Sequence, residues 1–156
     1  MIEIAIPGYR TLQLQYLVMD YNGTLASDGN LVTGVGEAVT RLATDLDIHV
    51  VTADTFGKAA SELEGLPLTL TILPLQNQDQ AKLDYVGRLG AESVVAIGNG
   101  RNDRLMLHAA ALGIAVILDE GAALQAMSAA DIVCTSAESA LDLLTETKRL
   151  IATLRS

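Results

Sequence analysis

Six short apolar runs, separated by segments with helical spacing, constrain this chain more than any other feature. The runs cover residues 14–19, 48–52, 68–73, 94–97, 114–118 and 132–134. Each is nearly continuous in Leu, Val, Ile and Ala over about five residues, the pattern of strands covered on both faces. Between them, Val35, Val39, Leu42 and Leu46 make one helical stripe; Phe56, Ala59, Ala60 and Leu63 make another; Ala81, Tyr85, Val86 and Leu89 make a third. Leu105, Leu107 and Leu112 make a fourth, less regular one, and one longer helix is expected near residues 137–155. Strands alternating with helices require crossover connections and a mostly parallel sheet between helical layers. The expectation is therefore an α/β, Rossmann-like three-layer sandwich, a single domain over residues 1–156. An N-terminal β extension at about residues 1–13 folds back at Pro7-Gly8.

The remaining composition narrows the classes. Half of the 156 residues are apolar but only 3% are aromatic, so aliphatic side chains must build the core. A net charge of -9 without a basic stripe argues against nucleic acid as a partner. No apolar run is long enough to span a bilayer, and no basic leader precedes an apolar stretch, so a cytoplasmic location and no membrane partner are expected. The lone Cys134 reads as a small buried hydrophobe.

In open parallel sheets ligands collect where the strands end. The first core strand ends on Asp20, within DYNGT (residues 20–24). The second ends on Thr52-Ala53, and the fourth runs into GNGRND (residues 98–103). Lys82 lies on the helix before that fourth strand. Singly, each has an ordinary structural reading: a turn cap, a helix start, a solvated lysine, a glycine-rich loop. Jointly they suit phosphate chemistry. A strand-tip carboxylate can attack phosphorus, a hydroxyl and backbone N–H groups can hold phosphate oxygens, and a lysine can compensate the charge. Oxygen ligands from two loops can hold Mg²⁺. Asn22-Gly23 and Asn99-Gly100 are also dipeptides prone to deamidation.

These motifs resemble those of the haloacid dehalogenase-like phosphatases, and most closely the soluble proteins similar to the phosphorylation domain of P-type ATPases. The resemblance rests on DYNGT, Thr52, Lys82 and GNGRND and extends over nearly the whole chain. It implies Asp20 as nucleophile and metal ligand, with Thr52 and Lys82 holding phosphate beside Gly23, Thr24 and Ala53. It implies Mg²⁺ held by Asp20, the carbonyl of Asn22, Asn99 and Asp103. Residues 25–32, with the turn Ser27-Asp28-Gly29-Asn30, correspond to the family's flap hairpin. The intervals from Asp20 to Thr52 and from Thr52 to Lys82 leave no room for a cap domain. An uncapped site either admits large substrates or is covered by a neighbouring subunit of a homo-oligomer.

Two positions depart from the pattern. Asn22 stands where the phosphatases carry an acid/base aspartate, and an amide does not titrate usefully. Asn99 stands where an aspartate would face the metal. The implied activity is a weak Mg²⁺-dependent phosphohydrolase acting on phosphorylated small molecules. The alternative is a catalytically impaired phosphate- or partner-binding module. A receiver-type phosphoacceptor ranks lower, because receivers carry the phosphorylated Asp after a later strand.

Overall fold

The computed structural model describes residues 1–156. In chain order the elements are β1 (Ile2–Ala5), β2 (Thr11–Leu14), β3 (Tyr16–Met19), β4 (Ala26–Ser27), β5 (Asn30–Leu31), α1 (Val35–Leu42), β6 (Asp47–Thr52), α2 (Ala59–Glu62), β7 (Thr69–Ile72), α3 (Gln78–Leu89), β8 (Val94–Gly98), α4 (Arg104–Ala109), β9 (Leu112–Val116), α5 (Leu124–Ala129), β10 (Ile132–Cys134), α6 (Ala137–Thr145) and α7 (Thr147–Leu154). A six-stranded sheet runs β10-β9-β8-β3-β6-β7 with every neighbouring pair parallel. The chain adopts the expected α/β sandwich.

Strand alternation sorts the core into two layers. Leu17 and Met19 of β3 pack on the side that holds Val35, Val39, Leu42, Leu141 and Leu150 from α1, α6 and α7. Val18 points the other way, towards Val86, Met106, Leu107 and Ala126 from α3, α4 and α5. Because side chains alternate along a strand, one four-residue run serves both layers. Both faces are covered by helices, which is why the runs show no polar alternation.

The first apolar run divides in two. Gln15 separates β2 from β3: its N–H donates to Ser93 O at 2.9 Å and its carbonyl accepts from Asp47 N at 2.9 Å. β2 pairs antiparallel with β1 in a separate hairpin. Ile4, Leu12 and Leu14 of that hairpin are buried in the main core. The N-terminal extension therefore spends its apolar face within its own chain.

Other expectations shift for local reasons. Phe56 stays exposed, because Asp54 and Gly57 adopt positive φ (54° and 69°) and delay the helix to Ala59. Leu112 belongs to β9, not to the fourth helix, whose buried residues are Met106 and Leu107. The long C-terminal helix is two helices, α6 and α7, broken at Glu146 with φ -97° and ψ 62°. Helix α5 had no apolar stripe to announce it; Ala126 is its buried residue, while Leu124 is exposed. No helix is long and apolar enough to cross a membrane.

The flap forms over the expected residues. β4 and β5 pair antiparallel through Asp28 and Gly29, both at positive φ (52° and 82°), the requirement of a tight two-residue hairpin turn. Tyr21, fully buried, donates its hydroxyl to Gly29 O at 2.9 Å and ties the flap to the first loop. Between Asp20 and Thr52 stand only this flap, α1 and the strand β6 that Thr52 ends; between Thr52 and Lys82 stand α2, β7 and the start of α3. No cap domain is present.

Candidate active site

β3 lies between β6 and β8, with Met19 in register with Val50 and Ile97. The next residue, Asp20, is therefore delivered between Thr52 and the Gly98–Asn99 loop. Its N–H donates to Ile97 O at 3.0 Å, so the backbone remains part of the sheet where the side chain enters the site. Beyond it the chain turns sharply. Tyr21 O accepts from Thr24, Leu25 and Ala26, and Gly23 takes φ 75°.

Beneath Asp20 lies a buried charge triad. Lys82, 1% exposed, places Nζ 3.1 Å from Asp20 Oδ1 and 2.6 Å from Asp103 Oδ1. Asp103 Oδ2 accepts from the N–H groups of Asn99 (3.0 Å) and Gly100 (2.9 Å). Asp103 thus bonds the lysine through one oxygen and the loop backbone through the other. Gly98 is required here by close approach: a Cβ at that position would sit 2.5 Å from Asp103 Cγ.

The electrostatics follow from burial. Desolvation raises the Asp20 carboxyl to about 7, with the negative Asp103 adding to the rise and Lys82 opposing it. Burial pushes Lys82 down, but Asp103 and Asp20 outweigh it and hold the ammonium above its ordinary value. Lys82 stays charged, and Asp20 is poised between its acid and carboxylate forms near neutrality.

Above the triad opens a cleft of about 270 Å³, lined by Asp20, Asn22, Thr52, Ala53, Thr55, Phe56, Gln78, Asn99, Gly100, Asn102 and Glu120. Thr52 Oγ1 accepts the Asp54 N–H at 3.0 Å, which leaves its own hydroxyl proton free to donate into the cleft. Asp54 in turn caps the start of α2 by accepting from Lys58 and Ala59 N–H. Asn22 Oδ1 is buried without a hydrogen-bond partner.

Of the residues expected from sequence, Asp20, Asn22, Thr52, Ala53 and Asn99 line the cleft. Lys82 lies below it, bonded to Asp20. Thr24 points away from it: its hydroxyl donates to Asn99 Oδ1 at 3.2 Å and clamps the first loop to the fourth. Gly23 packs against the Asn99 amide and the Glu120 carboxylate. Asp103, expected as a metal ligand, lies behind the cleft wall, where it holds Lys82 and the 99–100 backbone. No three Asp, Glu, His or Cys side chains converge as a metal cluster. Cleft residues not named as site residues from sequence are Thr55, Phe56, Gln78, Gly100, Asn102 and Glu120. Glu120 had a signal, since Asp119-Glu120 directly follows the fifth apolar run. His49, inside the second apolar run, is buried with Nδ1 2.8 Å from Tyr85 Oη.

No protein-family model matches the chain. The chain is 47% identical over 79 residues to the uncharacterized protein MJ0073 of Methanocaldococcus jannaschii, covering 48% of this chain and 85% of that protein. Among solved structures, it superposes on the magnesium-, phosphate- and KDO-bound 3-deoxy-D-manno-octulosonate 8-phosphate phosphatase of Moraxella catarrhalis. That match has TM-score 0.72 at 17% identity and covers 91% of this chain and 94% of that one. The cobalt-bound deoxy-D-mannose-octulosonate 8-phosphate phosphatase of Haemophilus influenzae gives TM-score 0.63 at 20% identity, covering 92% and 90%. BT1666 of Bacteroides thetaiotaomicron, from a study of phosphatases of the HAD enzyme superfamily, gives TM-score 0.59 at 13% identity, covering 90% and 96%. The chain belongs to the family of the Methanocaldococcus jannaschii protein and has the fold of the haloacid dehalogenase-superfamily phosphatases.

Proposed function

We propose that the chain is a divalent-metal-dependent phosphohydrolase whose Asp20 carries a transient phosphoryl group. The observation that carries this reading is the Asp20–Lys82–Asp103 triad under a polar cleft at the strand ends. A buried carboxylate with a lysine 3.1 Å away is a charge-compensated nucleophile. The Thr52 hydroxyl and the backbone N–H groups of Ala53 and Asn22 would hold phosphate oxygens, with Gly23 shaping the turn between them and the flap. Asp103 keeps Lys82 charged and in place.

The donors left for a cation are all oxygens: the Asp20 carboxylate, the Asn22 carbonyl and Asn99 Oδ1, which keeps a lone pair beyond its bond from Thr24. Hard oxygen donors fit Mg²⁺. A bound cation would neutralise phosphoryl charge and hold Asp20 as the carboxylate. Asp103 and Lys82 act on that site only through Asp20 and the loop backbone.

Asn22 cannot protonate a leaving group. Aryl phosphates, acyl phosphates and other phosphorylated small molecules whose leaving group departs unaided are therefore the expected donors. Similarity to the soluble P-type ATPase-like proteins rests on DYNGT and GNGRND, and a persistent phosphoenzyme would accord with it. A homo-oligomer in which a second copy covers the cleft is compatible with the exposed Phe56 on its wall. The second reading, a phosphate- or partner-binding module, is favoured by the pair Asn22 and Asn99.

The test is turnover of p-nitrophenyl phosphate with Mg²⁺. Asp20→Asn should abolish it, and Asn22→Asp should raise it by about 10²-fold or more, the usual contribution of acid–base help. Full activity in Asp20→Asn would overturn the proposal. Binding of beryllium fluoride with no turnover of any donor would favour the module.

A further inference from the structure

We propose that Glu120 is a ligand of the divalent-cation site, supplying the carboxylate that position 99 lacks. The inference rests on the metal-dependent reading above and extends it to a loop that none of the recognised motifs includes.

Asn99 is locked in its present role from both sides. Its Oδ1 accepts from Thr24 Oγ1 at 3.2 Å, and its Nδ2 donates to Gly121 O at 3.2 Å. An aspartate could not make the second bond, and its charge would face a carbonyl oxygen. The choice of asparagine thus ties the 98–103 loop to the turn at 118–121. A second bond repeats the tie: Ala123 N donates to Asn99 O at 2.8 Å. These contacts flank Glu120 on its C-terminal side. On the other side the turn is closed by Gly121 N donating to Leu118 O at 2.9 Å, with Gly121 at φ 73°.

The result is a carboxylate delivered to the metal side of the cleft. A Cβ built on Gly23 would lie 2.4 Å from Asn99 Nδ2 and 2.5 Å from Glu120 Oε2. Glu120 therefore abuts the residue whose peptide nitrogen is bonded to the Asn22 carbonyl, the backbone oxygen proposed for the cation. Asp103 does not line the cleft, so Asp20 and Glu120 are the carboxylates that do. Glu120 forms no ion pair with any cationic side chain and is solvent-exposed at the rim. It can take a cation without breaking a protein contact. Its neighbour Asp119 is equally exposed but does not line the cleft.

Mn²⁺ binding, read from the loss of the free-ion paramagnetic resonance signal, tests this without reference to turnover. Glu120→Gln should weaken Mn²⁺ binding by about tenfold or more, as loss of a metal-site group does, with an unchanged melting profile without metal. Asp119→Asn controls for the acidic surface and should change binding less than twofold. Adding Asn99→Asp to Glu120→Gln should restore most of the affinity. If Asp20→Asn abolishes binding while Glu120→Gln binds as tightly as the parent, the Glu120 assignment is wrong and the metal reading stands. If Asp20→Asn binds as tightly as the parent, or the parent binds no Mn²⁺, both readings fall.

Discussion

Removing the Asp20 charge should stabilise this protein, and the size of the effect should depend on pH in a calculable way. Asp20 is 8% exposed, and burial raises its carboxyl from 3.8 to about 7. An acid with a raised folded-state value binds more protons folded than unfolded, so stability falls as pH rises between the two values. Below about pH 4 the group is protonated in both states and the penalty disappears. Above about pH 7 the penalty is complete, roughly 4 kcal/mol at 1.36 kcal/mol per pH unit. The side-chain amide introduced by Asp20→Asn would still accept from Lys82 but without charge, which offsets part of the gain. The expected net stabilisation of Asp20→Asn is about 2–4 kcal/mol at pH 8, or about 5–15 °C in melting temperature for a chain of this size. By pH 4.5 the gap should shrink to about a quarter of its full value. Calorimetric melting of both proteins across this range, in chelator-containing buffer, measures it. A variant that melts lower than the parent at pH 8, or a gap independent of pH, would refute the argument that burial of Asp20 is what raises it.

Lys82→Met should destabilise by about 3–5 kcal/mol at neutral pH, because it leaves Asp103, with no exposure, and Asp20 without their shared cation; urea titration reads this. Gly98→Ala should cost about 1–3 kcal/mol, since its Cβ would press on Asp103 Cγ, and it should loosen the 99–103 loop in hydrogen exchange. Asn22-Gly23 should deamidate more slowly in the folded protein than in the corresponding free peptide. The Gly23 N–H that would attack is held by Ala26 O at 2.8 Å, and Gly100 N–H is held likewise by Asp103. Mass spectrometry after prolonged incubation checks both dipeptides, and equal rates in protein and peptide would contradict it.

Much of the site was legible because strand ends are legible. Continuous apolar runs identify buried parallel strands, and the polar residues at their ends mark the edge where Asp20, Thr52 and Asn99 meet. Residue roles were harder to read. Asp103 has the residue type of a metal ligand, but a carboxylate two residues after a Gly-Arg pair can also turn back onto its own loop's amides. Only the three-dimensional path decides between these. Lys82 looks like any solvated helix lysine until α3 is placed against β8. Glu120 belongs to none of the recognised motifs, although the fifth apolar run ends on acidic residues as the first ends on Asp20. The helix errors have local causes: positive φ at Asp54 and Gly57 postpones α2, and Glu146 interrupts a stripe that continues on both sides. The split at Gln15 had no hydrophobic signature, since Leu14 on one side of it and Leu17 and Met19 on the other are buried in the same layer.

Covalent capture at position 20 tests the proposed chemistry most directly. The protein is mixed with Mg²⁺ and an aryl or acyl phosphate, quenched, reduced with borohydride and digested for mass spectrometry. The expected result is conversion of residue 20 to homoserine, the reduction product of an aspartyl phosphate, with no such product in Asp20→Asn. Turnover without modification of residue 20, or modification at another carboxylate, would contradict it.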